Sequence, residues 1–273
     1  MLASQGLGLV ATGLILVVVG EPAPGADSLL WASIAGVSGV GGLAFFYLAL
    51  SRGTMGVVAP LAALIGAGLP VLVAIISGET VDAARLLGIA LALAAVVLIS
   101  LPSRTANAVE RRTFRADIAE LPIVILAGLG FAGFFIGIDR AAAEGALWWP
   151  LTIVRVFGIT LVALAIVFAI WRRREGSVRR RATEALGLDR LRDSGRTLAS
   201  VLSLLLLTGL GDLGGNVFFV LARAADSFAV AVVLSSLYPV VTTLLAAVLL
   251  RERLRPVQLL GVALATLSVP LLR

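Results

Sequence analysis

The sequence predicts an all-α integral membrane protein with about nine transmembrane helices in two inverted-topology repeats. Three observations carry this. Of 273 residues, 60% are hydrophobic and 14% charged, whereas a soluble domain has roughly 45–50% and 25%; mean hydropathy is +1.07. The apolar residues lie in unbroken stretches long enough to span a bilayer as helices. Barrel strands would be about half as long and would alternate with polar residues. Finally, the chain aligns with itself at one fixed offset.

The expected spans follow in order. Residues 3–19 form a short first span carrying Ser4, Gln5 and Thr12; the first basic residue is Arg52, so the positive n-region of a signal peptide is missing and the span is expected to stay in the mature protein. Span 29–50 opens near Trp31. Span 55–77 contains Pro60 and Pro70, and span 84–101 follows. Span 121–138 ends on Asp139 and Arg140, read as solvating that end. Span 148–171 has Trp148, Trp149 and Trp171 at its boundaries, where an indole prefers the headgroup level, and it encloses Arg155. Span 198–222 carries Asp212 and Asn216. Span 228–250 carries Ser235, Ser236, Tyr238 and Pro239, and 256–272 closes the chain.

Two connections are long, residues 102–120 and 172–197. The second holds nine Arg and four acids. Its Val178, Ala182, Ala185 and Leu188 recur at near-helical spacing, so it is expected to lie on anionic lipid. With residue 1 in the cytoplasm, 17 Arg fall on that side and four on the other, leaving Arg155 inside a span. The positive-inside bias therefore places residue 1 and loop 172–197 in the cytoplasm and the C-terminus outside.

Composition also excludes chemistry. There is no Cys and no His, which removes disulfides, thiol nucleophiles, His bases and the usual zinc ligand sets. No metal or cofactor is expected. All 22 basic residues are Arg, set between apolar runs, so the pI near 11.2 implies no nucleic-acid partner. The runs 36–42, 128–137 and 209–216 are rich in Gly but lack the Gly-Lys-Ser/Thr of a Walker motif. In apolar segments such spacing lets helix backbones approach closely.

An offset of 173 aligns residues 31–100 with 204–273 without a gap, and 21 of the 70 positions are identical. Gly36, Gly41 and Gly42 fall on Gly209, Gly214 and Gly215, Phe45 and Phe46 on Phe218 and Phe219, and Glu79 on Glu252. Five spans separate the copies, an odd number, so the copies enter the membrane from opposite sides. That is the build of many secondary transporters, with the substrate site near the midplane between the copies. The expected units are an N-terminal repeat 1–101 of four helices, a cytoplasmic linker 102–120, and a C-terminal repeat 121–273 of five.

The stretches FFYLALSRGTMGVVAPLAALIGAGLPVLVAIISGE and SSLYPVVTTLLAAVLLRERLRPVQLLGVAL, the latter with Pro239, Glu252 and Gly261, resemble the EamA family of the drug/metabolite transporter superfamily. The resemblance implies ten helices in two five-helix inverted repeats, a plasma-membrane location and movement of small metabolites. This sequence departs from the pattern in lacking a counterpart of the first helix.

Candidate pathway residues are those that are polar inside spans. Arg155 and Asp212 lie roughly 10 and 15 Å from the same membrane face at 1.5 Å per residue, close enough for an Arg side chain to bridge. Asn216 shares the Asp212 helix face. Two readings stay open. Arg155 receives a substrate carboxylate while Asp212 takes an amine or a coupling proton, or the two form a fixed interhelical ion pair. Tyr47, Tyr238 and Ser235 are further candidates, each with core packing or helix bonding as the alternative. Pro60, Pro70 and Pro239 interrupt the backbone ladder and are expected to kink their helices. Glu79 and Glu252 sit at span ends, where capping or loop pairing is expected. The function expected is secondary transport of a small amphipathic metabolite by alternating access, with proton coupling through Asp212 as one option and a homodimer allowed. The alternatives are a truncated non-transporting membrane protein and an intramembrane lipid-modifying enzyme; no cluster of carboxylates, His or Cys supports the enzyme.

Overall fold

The computed structural model describes residues 2–52, 55–101, 113–172, 198–249 and 254–272, and these are helical throughout apart from turns and short connections. In chain order the helices are α1 (Leu2–Val19), α2 (Ala26–Arg52), α3 (Met55–Ile76), α4 (Ala83–Ser100), α5 (Thr113–Ala141), α6 (Trp148–Arg172), α7 (Leu198–Ala225), α8 (Phe228–Ser236), α9 (Tyr238–Leu249) and α10 (Pro256–Leu271). Among the described residues, six segments are long and apolar enough to cross a membrane: Ala26–Arg52, Val58–Ile76, Ala83–Ser100, Glu120–Ala141, Trp148–Phe168 and Phe228–Leu249. Gln5–Val19 and Pro256–Leu271 are apolar but shorter. The chain is an α-helical, multi-pass membrane protein.

Two boundaries differ from the expectation. The connection 102–120 becomes helical at Thr113, and α5 passes through Pro122 without a break. Pro at that point leaves only one carbonyl without its ladder donor. The expected span 228–250 is two helices, α8 and α9, separated at Leu237. There the ladder tightens, with Leu237 N–H donating to the Leu234 carbonyl and Val240 N–H to the Leu237 carbonyl, at 3.2 and 2.9 Å. Pro239 has no N–H to offer Ser235. The Ser236 hydroxyl instead satisfies the Val233 carbonyl at 2.6 Å. In contrast, α3 runs uninterrupted through Pro60 and Pro70. The basic loop 173–197 and Glu252 lie outside the described residues, as do residues 102–112.

Helix ends are set locally. Asp82 accepts from Arg85 N–H at 2.8 Å and starts α4; Ser227 accepts from Val230 N–H at 3.2 Å and starts α8, both in the N-cap pattern. After α3, Gly78 adopts φ +94°, Gly78 N–H reaches the Ile75 carbonyl and Glu79 N–H the Ala74 carbonyl. This pair of bonds is a Schellman stop, which needs the left-handed residue that Gly supplies without strain.

Packing is densest where glycines bring helices together. A Cβ placed on Gly42 of α2 would lie 2.9 Å from the backbone of Gly130 and Phe131 in α5; Gly133 faces Ser38, and Gly137 faces Ala35. The sequence numbers run in opposite directions, so the two helices are antiparallel. Gly128 of α5 meets Ile65 and Ala62 of α3. Across the bundle Gly88 of α4 packs on Leu272 while Gly261 of α10 packs on Ile99. The 173-residue offset carries the first pair onto the second. Run 209–216 behaves differently from the expected close packing: among the described residues, nothing lies within 4 Å of a Cβ position at Gly211, Gly214 or Gly215.

Candidate functional site

The site is a cavity of about 350 Å³ in the middle of the bundle. Its polar part is Gln5, Arg155, Asp212, Asn216, Ser235, Ser236 and Tyr238, and its aromatic wall is Phe46, Phe131, Phe134 and Phe135. α3 adds Ala63, Gly66 and Ala67, whose small side chains leave the space open.

Arg155 is 1% exposed. Its Nη2 donates to Asp212 Oδ2 at 3.1 Å, and the Asp212 side chain is 46% exposed. The charge of Arg155 is therefore compensated by one carboxylate that still reaches open space. Among the described residues, Arg155 Nε has no hydrogen-bond partner, so a buried cationic group keeps donor capacity unused. Its side chain fits because α1 has no side chain at Gly8: a Cβ there would lie 2.4 Å from Arg155 Nε and 3.1 Å from Cδ. Gly8→Ala is therefore expected to push the guanidinium off its position. The loss of a hydrogen bond to a charged group, about 1.5–3 kcal/mol, corresponds to roughly a tenfold or larger fall in transport. Flux in proteoliposomes checks this, with circular dichroism showing helicity retained. Unchanged flux would remove Gly8 from the site.

α6 is held in place by a residue distant in sequence. Glu21, in the turn between α1 and α2, accepts from Leu147, Trp148 and Trp149 N–H at 2.6, 2.9 and 2.8 Å, and its carbonyl accepts from Trp149 Nε1 at 3.1 Å. One carboxylate thus satisfies three N–H groups at the start of a helix, where negative charge also meets the positive end of the helix dipole. Arg155 lies in the second turn of this anchored helix.

The cavity gathers Arg155, Asp212, Asn216, Ser235 and Tyr238 from the expected set. Tyr47 stands elsewhere: it is 59% exposed, because one step along α2 turns its side chain away from neighbouring Phe46, which does line the cavity. Pro60 and Pro70 are buried within α3 and do not line the space; Pro239 sits beside it at the α8–α9 break. Asp139 also departs from its expected role. It pairs with Arg223 and its side chain is 12% exposed, because the end of α7 lies against α5 there. Arg85 and Asp226 pair at 3.2 Å at the same end. Glu79 accepts from Ala229 N–H at 3.3 Å and so caps α8 from another helix hairpin. Sequence reading did not single out Gln5, the four Phe residues, Gly8 or Glu21 as site residues. The FAGFF segment was the available signal for three of the Phe; Gly8 and Glu21 act on residues more than a hundred positions away and carry no local pattern.

The comparisons with known proteins agree with this architecture. The model of the EamA-like transporter family matches residues 118–273. No curated protein matches. Ten chains of solved structure do; one crystal structure covers 99% of this chain and 86% of its own, with TM-score 0.71 at 16% identity, a likeness of fold.

Proposed function

The chain belongs to the EamA-like transporter family, whose members are membrane transporters of the drug/metabolite type, and from that premise we propose that it moves a small amphipathic solute by alternating access through the central cavity. The solute bears a carboxylate that faces Arg155, an amine that faces Asp212 and an apolar group that packs against the Phe wall. The observation that carries this reading is Arg155: a cation 1% exposed, with Nε unpartnered, beside an aromatic chamber of about 350 Å³. Charges at this depth are functional sites by default, since an uncompensated one costs at least about 2.5–3.5 kcal/mol. Asp212 also serves as the proton-coupling group in this reading.

The two halves, residues 1–101 and 121–273, act as inverted repeats joined by linker 102–120, and rocking between them exposes the cavity to each side in turn. The reciprocal contacts of Gly88 and Gly261 support that relation. The protein resides in the plasma membrane as a monomer or homodimer, with residue 1 and loop 172–197 cytoplasmic and the loop on anionic lipid.

Purified protein in liposomes provides the test. Counterflow of a labelled zwitterion with an apolar substituent should exceed that of empty liposomes, and an imposed pH gradient should raise accumulation. Equal flux with and without protein across zwitterions, simple acids and simple amines would overturn the proposal.

A further inference from the structure

The hydrogen-bonding groups of the cavity are divided unevenly along the chain. Among the described residues, 1–101 supply its wall with glycine, alanine, valine, leucine and phenylalanine and with one polar side chain, Gln5. The other six polar or charged groups come from residues 121–273. Gln5 lies on α1, three residues before Gly8 and seven before Thr12, so the three share one face of that helix. On this face only Gln5 has hydrogen-bonding capacity to spare. Gly8 has no side chain, and the buried Thr12 hydroxyl donates to the Gly8 carbonyl of its own helix at 3.0 Å. Among the described residues, no hydrogen bond engages the Gln5 amide, which offers two N–H donors and a carbonyl acceptor.

Arg155 crosses α1 at Gly8, where a Cβ would lie 2.4 Å from its Nε. The Gln5 backbone stands three residues, about 4.5 Å of helix rise, from that crossing, so the amide and the guanidinium bound the same corner of the cavity. We infer that Gln5 is a specificity-determining residue: its amide N–H donates to the second oxygen of the solute carboxylate that Arg155 receives. The inference rests on the function proposed above. Arg155 Nη2 is engaged with Asp212 at 3.1 Å, and a carboxylate has more acceptor positions than the rest of one guanidinium fills. A carboxylate held in this way ties residues 1–101 to residues 121–273, the units that rock against each other in the proposed cycle. A solute without a carboxylate makes its polar contacts with the second unit alone. Because the Gln5 contact closes as the two units come together on the solute, it favours the translocation step over initial binding.

Counterflow in proteoliposomes tests this with two labelled probes, leucine and isoamylamine, which is leucine without its carboxylate. Gln5→Met keeps the length of the side chain and removes its hydrogen bonds; Gln5→Asn keeps an amide on a shorter arm. Gln5→Met should lower the maximal leucine rate by about tenfold or more, as loss of a hydrogen bond to a charged group does. The half-saturating leucine concentration and the isoamylamine rate should each change by less than about twofold. Gln5→Asn should retain more of the leucine rate than Gln5→Met, and thermal melting of both variants should match the unaltered chain. Equal losses for the two probes, a loss seen only as a raised half-saturating concentration, or equal leucine rates in the two variants would overturn the inference. Leucine flux indifferent to Gln5→Met overturns it alone, whereas an unaltered chain that carries neither probe overturns the proposed solute and this inference with it.

Discussion

Asp212→Asn is expected to abolish transport and to lower the stability of the membrane-inserted chain. Arg155 is 1% exposed and Asp212 is the partner of its Nη2, so neutralising the acid leaves a cation in a low-dielectric site with no counter-charge. Breaking a buried pair from one side costs roughly 3–5 kcal/mol. The 46% exposure of the Asp212 side chain places the expected loss toward the lower end. The double variant Arg155→Gln with Asp212→Asn removes both charges and is expected to recover most of the thermal stability while transport stays absent. This combination separates the two roles the pair can have. A fixed ion pair would let the double variant regain both stability and flux, and that result would exclude Arg155 and Asp212 from the pathway.

Gly130→Leu is expected to disrupt the α2–α5 pair altogether. A Cβ at this position would lie 2.4 Å from Gly42 Cα, 2.6 Å from Gly42 N and 2.8 Å from the Ser38 carbonyl oxygen. These are main-chain atoms within helices, so no rotamer change relieves the overlap. Overpacking a core by extra methylenes costs about 1–3 kcal/mol when side chains can adjust; here the helices themselves must separate, and the loss should exceed that range. Detergent melting curves and the yield of monodisperse protein are the measurements. Melting like that of the unaltered chain would mean that α2 and α5 are not in backbone contact.

Much of the fold was readable because lipid imposes strong constraints on a sequence. An apolar stretch without charges has few structural choices in a bilayer, and the expected spans overlap every helix from α1 to α10. The break at Leu237 was half visible. Pro239 marked the disturbed ladder, but Pro60 and Pro70 gave the same signal in α3, which stays continuous, since a proline removes one bond and neighbouring helices decide whether the chain bends. The site was readable where it depends on cost: Arg155 and Asp212 are conspicuous because burying charge in hydrocarbon is expensive. It was hidden where it depends on assembly. Phe46 and Tyr47 are adjacent aromatic residues, and only the position of α5 decides that Phe46 faces the cavity. Glu21 is one acid in a polar turn until α6 places three N–H groups against it.

The pairs Asp139 with Arg223 and Arg85 with Asp226 occupy one end of the bundle, whereas the opposite end holds, among the described residues, Arg52 and Glu120 at 3.8 Å. In the proposed cycle, exposing the cavity at the first end would let these four ions trade each other for hydration. Water compensates most of that exchange once it arrives, since exposed pairs retain only about 0–1 kcal/mol of net attraction. In the proposed alternating-access cycle these half-solvated pairs therefore form a weak latch, which costs little to undo and little to remake.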